Sequence, residues 1–113
     1  MTQSRVNTIC ASFPGAEKSD PWGGGHDAWK VGGKMFACRG SMQNGTSVKT
    51  DSIETAQMLI EAGVGERAPY FHKSWLLLPE TCPDDELRHR LETSYRIVRG
   101  GLTKKAQAAL DPF

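Results

Sequence analysis

With 113 residues the chain suffices for one compact domain with a real core and is too short for two. Apolar residues make up 38% and charged residues 24%, with three Trp and four Phe to fill an interior, a balance that excludes a disordered chain. Fourteen basic against thirteen acidic side chains leave a net charge of +1, so a uniformly cationic nucleic-acid binder is excluded and any such role requires a local basic patch.

The opening MTQSRVNTIC lacks the charged start and apolar stretch of a signal peptide, and no apolar run reaches the ~18 residues of a membrane span, so a cytoplasmic protein is expected. Val6, Ile9, Cys10 and Phe13 recur at i, i+3, i+4, i+7 and predict a short helix that Ser4 caps and Pro14-Gly15 ends. Residues 16–22 read as an extended edge segment, because Pro21 cannot donate to a central ladder, and Gly23-Gly24-Gly25 then breaks the chain.

DAWKV and KMFAC follow, separated by Gly32-Gly33. Glycine reaches the positive φ of a two-residue mirror-image turn, which predicts a hairpin with Trp29 opposite Phe36 and Ala28 opposite Ala37, so that Trp29, Val31, Phe36 and Cys38 share a core face. The stretch Gly32-Gly33-Lys34 also resembles a phosphate cradle. Such a loop leads from a strand into a helix with the spacing G-x-x-x-x-G-K-[ST], whereas this one leads from strand to strand, so it is read as a turn.

Thr46 to Thr50 predicts another strand, and DSIE a capping box with Asp51 as N-cap and Glu54 as its partner. Ile53, Ala56, Leu59 and Ile60 form the buried stripe of that helix, closed by Gly63. Ala68 to Phe71 and Trp75 to Leu78 read as a second hairpin around His72-Lys73-Ser74. Pro83 suits the first turn of the longest helix, whose stripe is Leu87, Leu91, Tyr95, Val98 and Leu102. Asp84, Asp85 and Glu86 at its start and Arg96 and Arg99 at its end match the helix dipole. Gly100-Gly101 stops it, and Thr103 caps a last short helix through Leu110.

Four phrases in this order, FPG at 13–15, WKVGGKMFA at 29–37, PYFHKSW at 69–75 and TSYRIV at 93–98, resemble the MmcQ/YjbR family over nearly the whole chain, from about Arg5 to Leu110. The resemblance implies one α+β domain of the frataxin-like (CyaY-like) type, an antiparallel sheet of five or six strands with helices on one face. It also implies a DNA-binding function, because the fold is similar to the double-wing domain of the phage transcription factor MotA; it carries over no catalytic residue. The chain departs from the common family pattern at GGGH, 23–26, and at Ser52, where a proline often opens the helix.

A double-wing reader approaches DNA with its sheet and hairpins. Lys30, Lys34, Arg39 and Lys49 in the first strand group and Arg67 and Lys73 around the second hairpin are the candidate phosphate contacts, giving weak, salt-sensitive binding. The competing reading is that lysines on strands and turns keep sheet edges soluble. A second basic zone, Arg88, Arg90, Arg96, Arg99, Lys104 and Lys105, could contact an acidic partner or nucleic acid, and the reading preferred is a solvated helix face with ion pairs such as Glu92 to Arg96. Trp29, Phe36, Tyr70 and Trp75 read as core rather than as platforms for unpaired bases, and Trp22 is the aromatic expected to be exposed.

His26, His72 and His89 with Cys10, Cys38 and Cys82 offer no nucleophile with an oriented base and no metal-ligand spacing, so no enzyme, cofactor or metal is expected. The odd, widely spaced thiols read as reduced, and the scattered carboxylates form no iron-binding ridge. The expectation is a monomeric, non-enzymatic domain whose partner is DNA; the alternative is a protein-interaction module without nucleic-acid binding.

Overall fold

The computed structural model describes residues 2–20, 27–39, 45–69 and 71–113. Helix α1 spans Thr2–Ala11 and leads into strand β1 (Glu17–Ser19), followed by β2 (Asp27–Val31), β3 (Lys34–Arg39) and β4 (Gly45–Lys49). Then come α2 (Ile53–Glu61), β5 (Glu66–Arg67), β6 (Trp75–Pro79), α3 (Asp84–Gly100) and α4 (Lys104–Ala108). The strands form one antiparallel sheet in the order β1-β2-β3-β4-β6-β5, with the helices packed on one face. Among the described residues no helix is long and apolar enough to cross a membrane.

Helices α1 and α3 bury the stripes their spacing predicts, whereas α2 buries only Ala56 and Leu59 of its expected stripe and leaves Ile53 40% exposed, because Ile53 stands at the first position of the helix. Val6, Ile9, Cys10 and Phe13 from the first helical segment meet Leu87, Leu91, Tyr95 and Val98 of α3 over Trp29, Val31, Phe36, Val48, Leu76 and Leu78 of the sheet. Tyr95 lies at the centre: its ring stands 4.9 Å from Phe13 and 5.4 Å, edge-on, from Phe36, the offset geometry aromatic quadrupoles favour. Its hydroxyl donates to the Pro14 carbonyl, so the polar handle of a fully buried ring is satisfied.

The Gly32-Gly33 turn forms with φ of 58° and 80°, both in the left-handed region that a mirror-image turn requires. The predicted register holds only next to it. Val31 faces Lys34 and Lys30 faces Met35, but Trp29 faces Ala37 and Ala28 faces Cys38, so Phe36 is an extra residue and the strand bulges there. The bulge turns both Phe36 and Ala37 into the core and places Cys38 on the other face, contrary to the shared face expected for it. Its cause lies in α3. The buried Ser94 hydroxyl donates to the Phe36 carbonyl at 2.6 Å and accepts from the Lys49 amide at 2.9 Å, bridging the strands where the β3–β4 ladder stops.

Three local expectations move by a residue or more. Ser52, not Asp51, caps α2, accepting from the Thr55 amide at 3.0 Å, because Ser52 has the extended backbone of a cap. Helix α1 begins before Ser4. The second hairpin has no strand at the described residues 68, 69 and 71: its short arm is β5, two residues pairing Glu66 with Leu77 and Arg67 with Leu76. Pro69 has no amide to continue that ladder, and Phe71 instead stacks on Trp75 at 4.5 Å. The expected exposure of Trp22, the edge role of Pro21, the Gly23–Gly25 break and the burial of Tyr70 fall outside the described residues.

Candidate nucleic-acid interface

Strand register decides where each cationic side chain stands. Trp29, Val31 and Val48 belong to the core, so by strand alternation Lys30 and Lys49 project from the opposite, helix-free face. They occupy β2 and β4, the two strands flanking β3, hence about two strand spacings or roughly 10 Å apart. Between them lies Met35, paired with Lys30, and beyond Lys49 lies Trp75, its partner on β6.

The same register sorts the residues along the strands. Lys34 opens β3 beside the Gly32-Gly33 turn, Lys49 closes β4, and Lys73 precedes Trp75, the first residue of β6, so all three lie at one end of the sheet. Arg67, the last residue of β5, points its chain toward that end as well. Lys34, Arg67 and Lys73 are exposed and Lys30 and Lys49 half-buried, and none of the five forms an ion pair among the described residues. A groove lined by Glu17, Lys18, Ser19, Lys30, Gly32 and Gly33 runs beside the turn. Glu17, Asp51, Glu54 of the first turn of α2 and Asp111 after Leu110 are acidic side chains that follow or flank the elements at this end.

Arg39 does not join this group. It closes β3 at the far end of the sheet, opposite Asp27 in register, and its guanidinium donates to Glu80 at 2.6 Å. There Asp20, Asp27, Glu80, Asp84, Asp85 and Glu86 collect from strand ends and the first turn of α3, and the arginines nearby are committed to them. Arg5 holds Asp84 at 2.6 Å and the Cys82 carbonyl at 2.7 Å, and Arg90 holds Glu86. A chain near neutrality is thereby divided into a cationic end and an acidic end.

Among the remaining candidates for chemistry, His72 has a structural role. His72 accepts the Ser74 amide at 3.1 Å on its Nδ1 and so shapes the turn before β6. His26 falls outside the described residues. Cys10, Cys38 and Cys82 are free and buried. Burial pushes the Cys10 thiol well above its ordinary range and Cys38 up to about 11, with the Asp27 carboxylate adding to the latter; burial likewise raises Cys82. Thiols held in the protonated form are poor nucleophiles. Among the described residues no three His, Cys, Asp or Glu side chains converge as metal ligands.

Sequence reasoning missed one element of this end. Leu102, which leads into the α4 lysines of the second basic zone, lies against the hairpin, its Cδ1 2.5 Å from where a side chain on Gly32 would begin. The apolar spacing that assigns Leu102 to the α3 stripe was the available signal; its partner was not legible.

The fold and the charge layout define a class: a small α+β domain with one helix-covered sheet face and a cationic strand end. A model of the YjbR family matches residues 11–97, and the chain belongs to that family. The crystal structure of the Deinococcus radiodurans protein DR2400, a DUF419 domain, shares the fold with a TM-score of 0.80 at 23% identity, over 91% of this chain and 83% of that one. No curated protein matches the chain.

Proposed function

We propose that this YjbR-family domain binds DNA without catalysis, through phosphate contacts from Lys30, Lys34, Lys49 and Lys73. The observation that carries the reading is the charge layout. These four amines gather at one sheet end with no ion pair among the described residues, while Arg5, Arg39 and Arg90 at the other end are neutralised by carboxylates. Unpaired ammonium groups on a rigid sheet can displace condensed counterions from a phosphate backbone, whereas a guanidinium already bonded to Glu80 must first break that bond. The raised thiols and the structural employment of His72 support a binding role over a catalytic one.

These four phosphate contacts by themselves contribute about −3.6 to the log–log salt slope, a fall in affinity of roughly 150-fold between about 50 and 200 mM salt. Changing Lys30, Lys34, Lys49 and Lys73 together to Ala removes this contribution to the salt slope and weakens the mobility shift accordingly, while the melting temperature stays close to the parent's. Retention of the shift and its slope by the folded variant excludes this surface. Absence of any shift from the unaltered protein at low salt, with recovery of a stoichiometric protein partner, returns the reading to a protein-interaction module.

A further inference from the structure

We infer that α4 belongs to the same DNA-contacting surface: Lys104 and Lys105 extend the phosphate-binding end of the sheet around the tip of the β2–β3 hairpin, for sequence-neutral contact with duplex DNA. The inference rests on the DNA-binding reading above and adds the helix, the number of contacts and the form of DNA.

Two leucine contacts anchor the segment that carries α4, and local hydrogen bonds fix its turn. Leu102 closes over Gly32, with its Cδ1 and Cδ2 at 2.5 and 2.9 Å from the position a side chain there would take. Leu110, just beyond the other end of α4, closes over Gly15 in the same way, its Cδ2 2.3 Å from where a side chain there would begin, a position that Val31, the last residue of β2, also borders at 3.9 Å. The intervening turn is tied by Gln107, which donates to the Leu102 carbonyl at 2.8 Å, and by Thr103, which caps α4 by accepting from the Ala106 amide at 3.1 Å. A helix fixed at both ends presents its side chains without the ordering cost that a loose tail adds to binding.

Lys104 is two residues from Leu102, as Lys34 is from Gly32, so each backbone lies within about 7.6 Å of the contact that joins them. Both α4 lysines are exposed and neither forms an ion pair among the described residues. The neighbouring arginines are occupied: Arg99 donates to the Tyr95 hydroxyl at 2.9 Å and the Asp111 carbonyl at 2.7 Å, and Arg96 sits over the Phe113 ring at 4.2 Å. The cationic run thus passes from α4 across Lys34 and Lys30 to Lys49 and Lys73. From β2 to β6 it covers three strand spacings, about 14 Å, comparable to roughly four base pairs of duplex.

The aromatics decide between duplex and single strand. Trp29 and Trp75 are only 6% and 8% exposed and Phe36 is fully buried, so the described sheet residues offer no flat ring on which an unpaired base stacks. Ammonium groups reaching phosphates carry no sequence information.

The test is a titration of the full chain with two unrelated mixed-sequence duplexes across a salt series, for the parent and for the double variant Lys104→Gln/Lys105→Gln. Six contacts predict a parent slope of about −5.4 and a loss of roughly 2,000-fold between about 50 and 200 mM salt; the double variant returns to about −3.6 and roughly 150-fold. Melting curves of the two proteins should coincide, since both side chains are solvated. A parent that binds while the double variant keeps its slope overturns the assignment of α4 and leaves the sheet surface standing. A clear preference for one duplex, or for the single strand, overturns the sequence-neutral duplex mode. A parent with no salt-dependent binding overturns the DNA reading itself.

Discussion

Two fully buried serines offer a sharp contrast. Ser94 donates to the Phe36 carbonyl at 2.6 Å and accepts from the Lys49 amide at 2.9 Å, filling the place of a missing ladder bond, whereas the Ser47 hydroxyl has no hydrogen-bond partner among the described residues. Replacing Ser94 by Ala strands a buried carbonyl and an amide on adjacent strands; with ~1 to 3 kcal/mol for each orphaned group, and some water reaching half-buried Lys49, the expected loss is about 2 to 4 kcal/mol. An unfolding entropy of about 2.1 cal/mol/K per residue gives roughly 0.24 kcal/mol/K for 113 residues, so the melting temperature falls by about 8 to 17 °C. Ser47→Ala removes a hydroxyl that folding has already desolvated without return, and should be neutral or stabilising by up to ~1 kcal/mol. Urea unfolding followed by tryptophan fluorescence, at matched protein concentration, reads both. If Ser94→Ala melts within about 2 °C of the parent, or if Ser47→Ala is the more damaging change, the account of the bulge as a bridge maintained by α3 is wrong.

Other outcomes follow from the same layout. Gly32→Ala should cost roughly 2 to 3 kcal/mol, from its positive φ and the collision with Leu102, while Gly33→Ala, equally left-handed but with nothing within 4 Å, should cost only about 1 kcal/mol; denaturant midpoints separate them. Arg39→Ala should leave DNA affinity and its salt slope unchanged while lowering stability, since it removes the partner of Glu80 at the acidic end; a reduced slope in the titration would place Arg39 on the interface after all. The Cys38 thiol, raised from about 9 to about 11, favours the fold fully below the unfolded value, and that contribution disappears as pH climbs through the folded one. Alkaline unfolding between these values should therefore be less steep in Cys38→Ala, and a thiol reagent near neutral pH should label Cys10 and Cys38 only after denaturation.

How much of this was legible in the sequence differs from element to element. Periodicity found α1, α2 and α3 because a one-sided apolar stripe is a local property of about a dozen residues, and the glycine turn was legible because few residues tolerate two consecutive positive φ values. The register beyond that turn was not legible, since an extra residue in β3 depends on a serine 58 positions away. The strand expected at 68–71 failed for a related reason: apolar and aromatic content suggested pairing, but Phe71 gained more from stacking on Trp75 than from a ladder interrupted at Pro69.

The candidate surface shows the same division. Lys30, Lys34, Lys49, Arg67 and Lys73 were picked out as cations on strands and turns, a property each residue carries by itself. Arg39 satisfied the same criterion, and only the packing of the chain after β6 against the end of β3 delivers Glu80 to it. Apolar spacing and turn chemistry determined the helices and the glycine turn, because these are short-range constraints on backbone conformation, while the likeness of four phrases in order to a known family carried the α+β fold. Which charges stand together was decided by strand order and by the seat of Leu102 on Gly32, because a net charge of +1 records how many charges there are and the fold alone sets the distances between them.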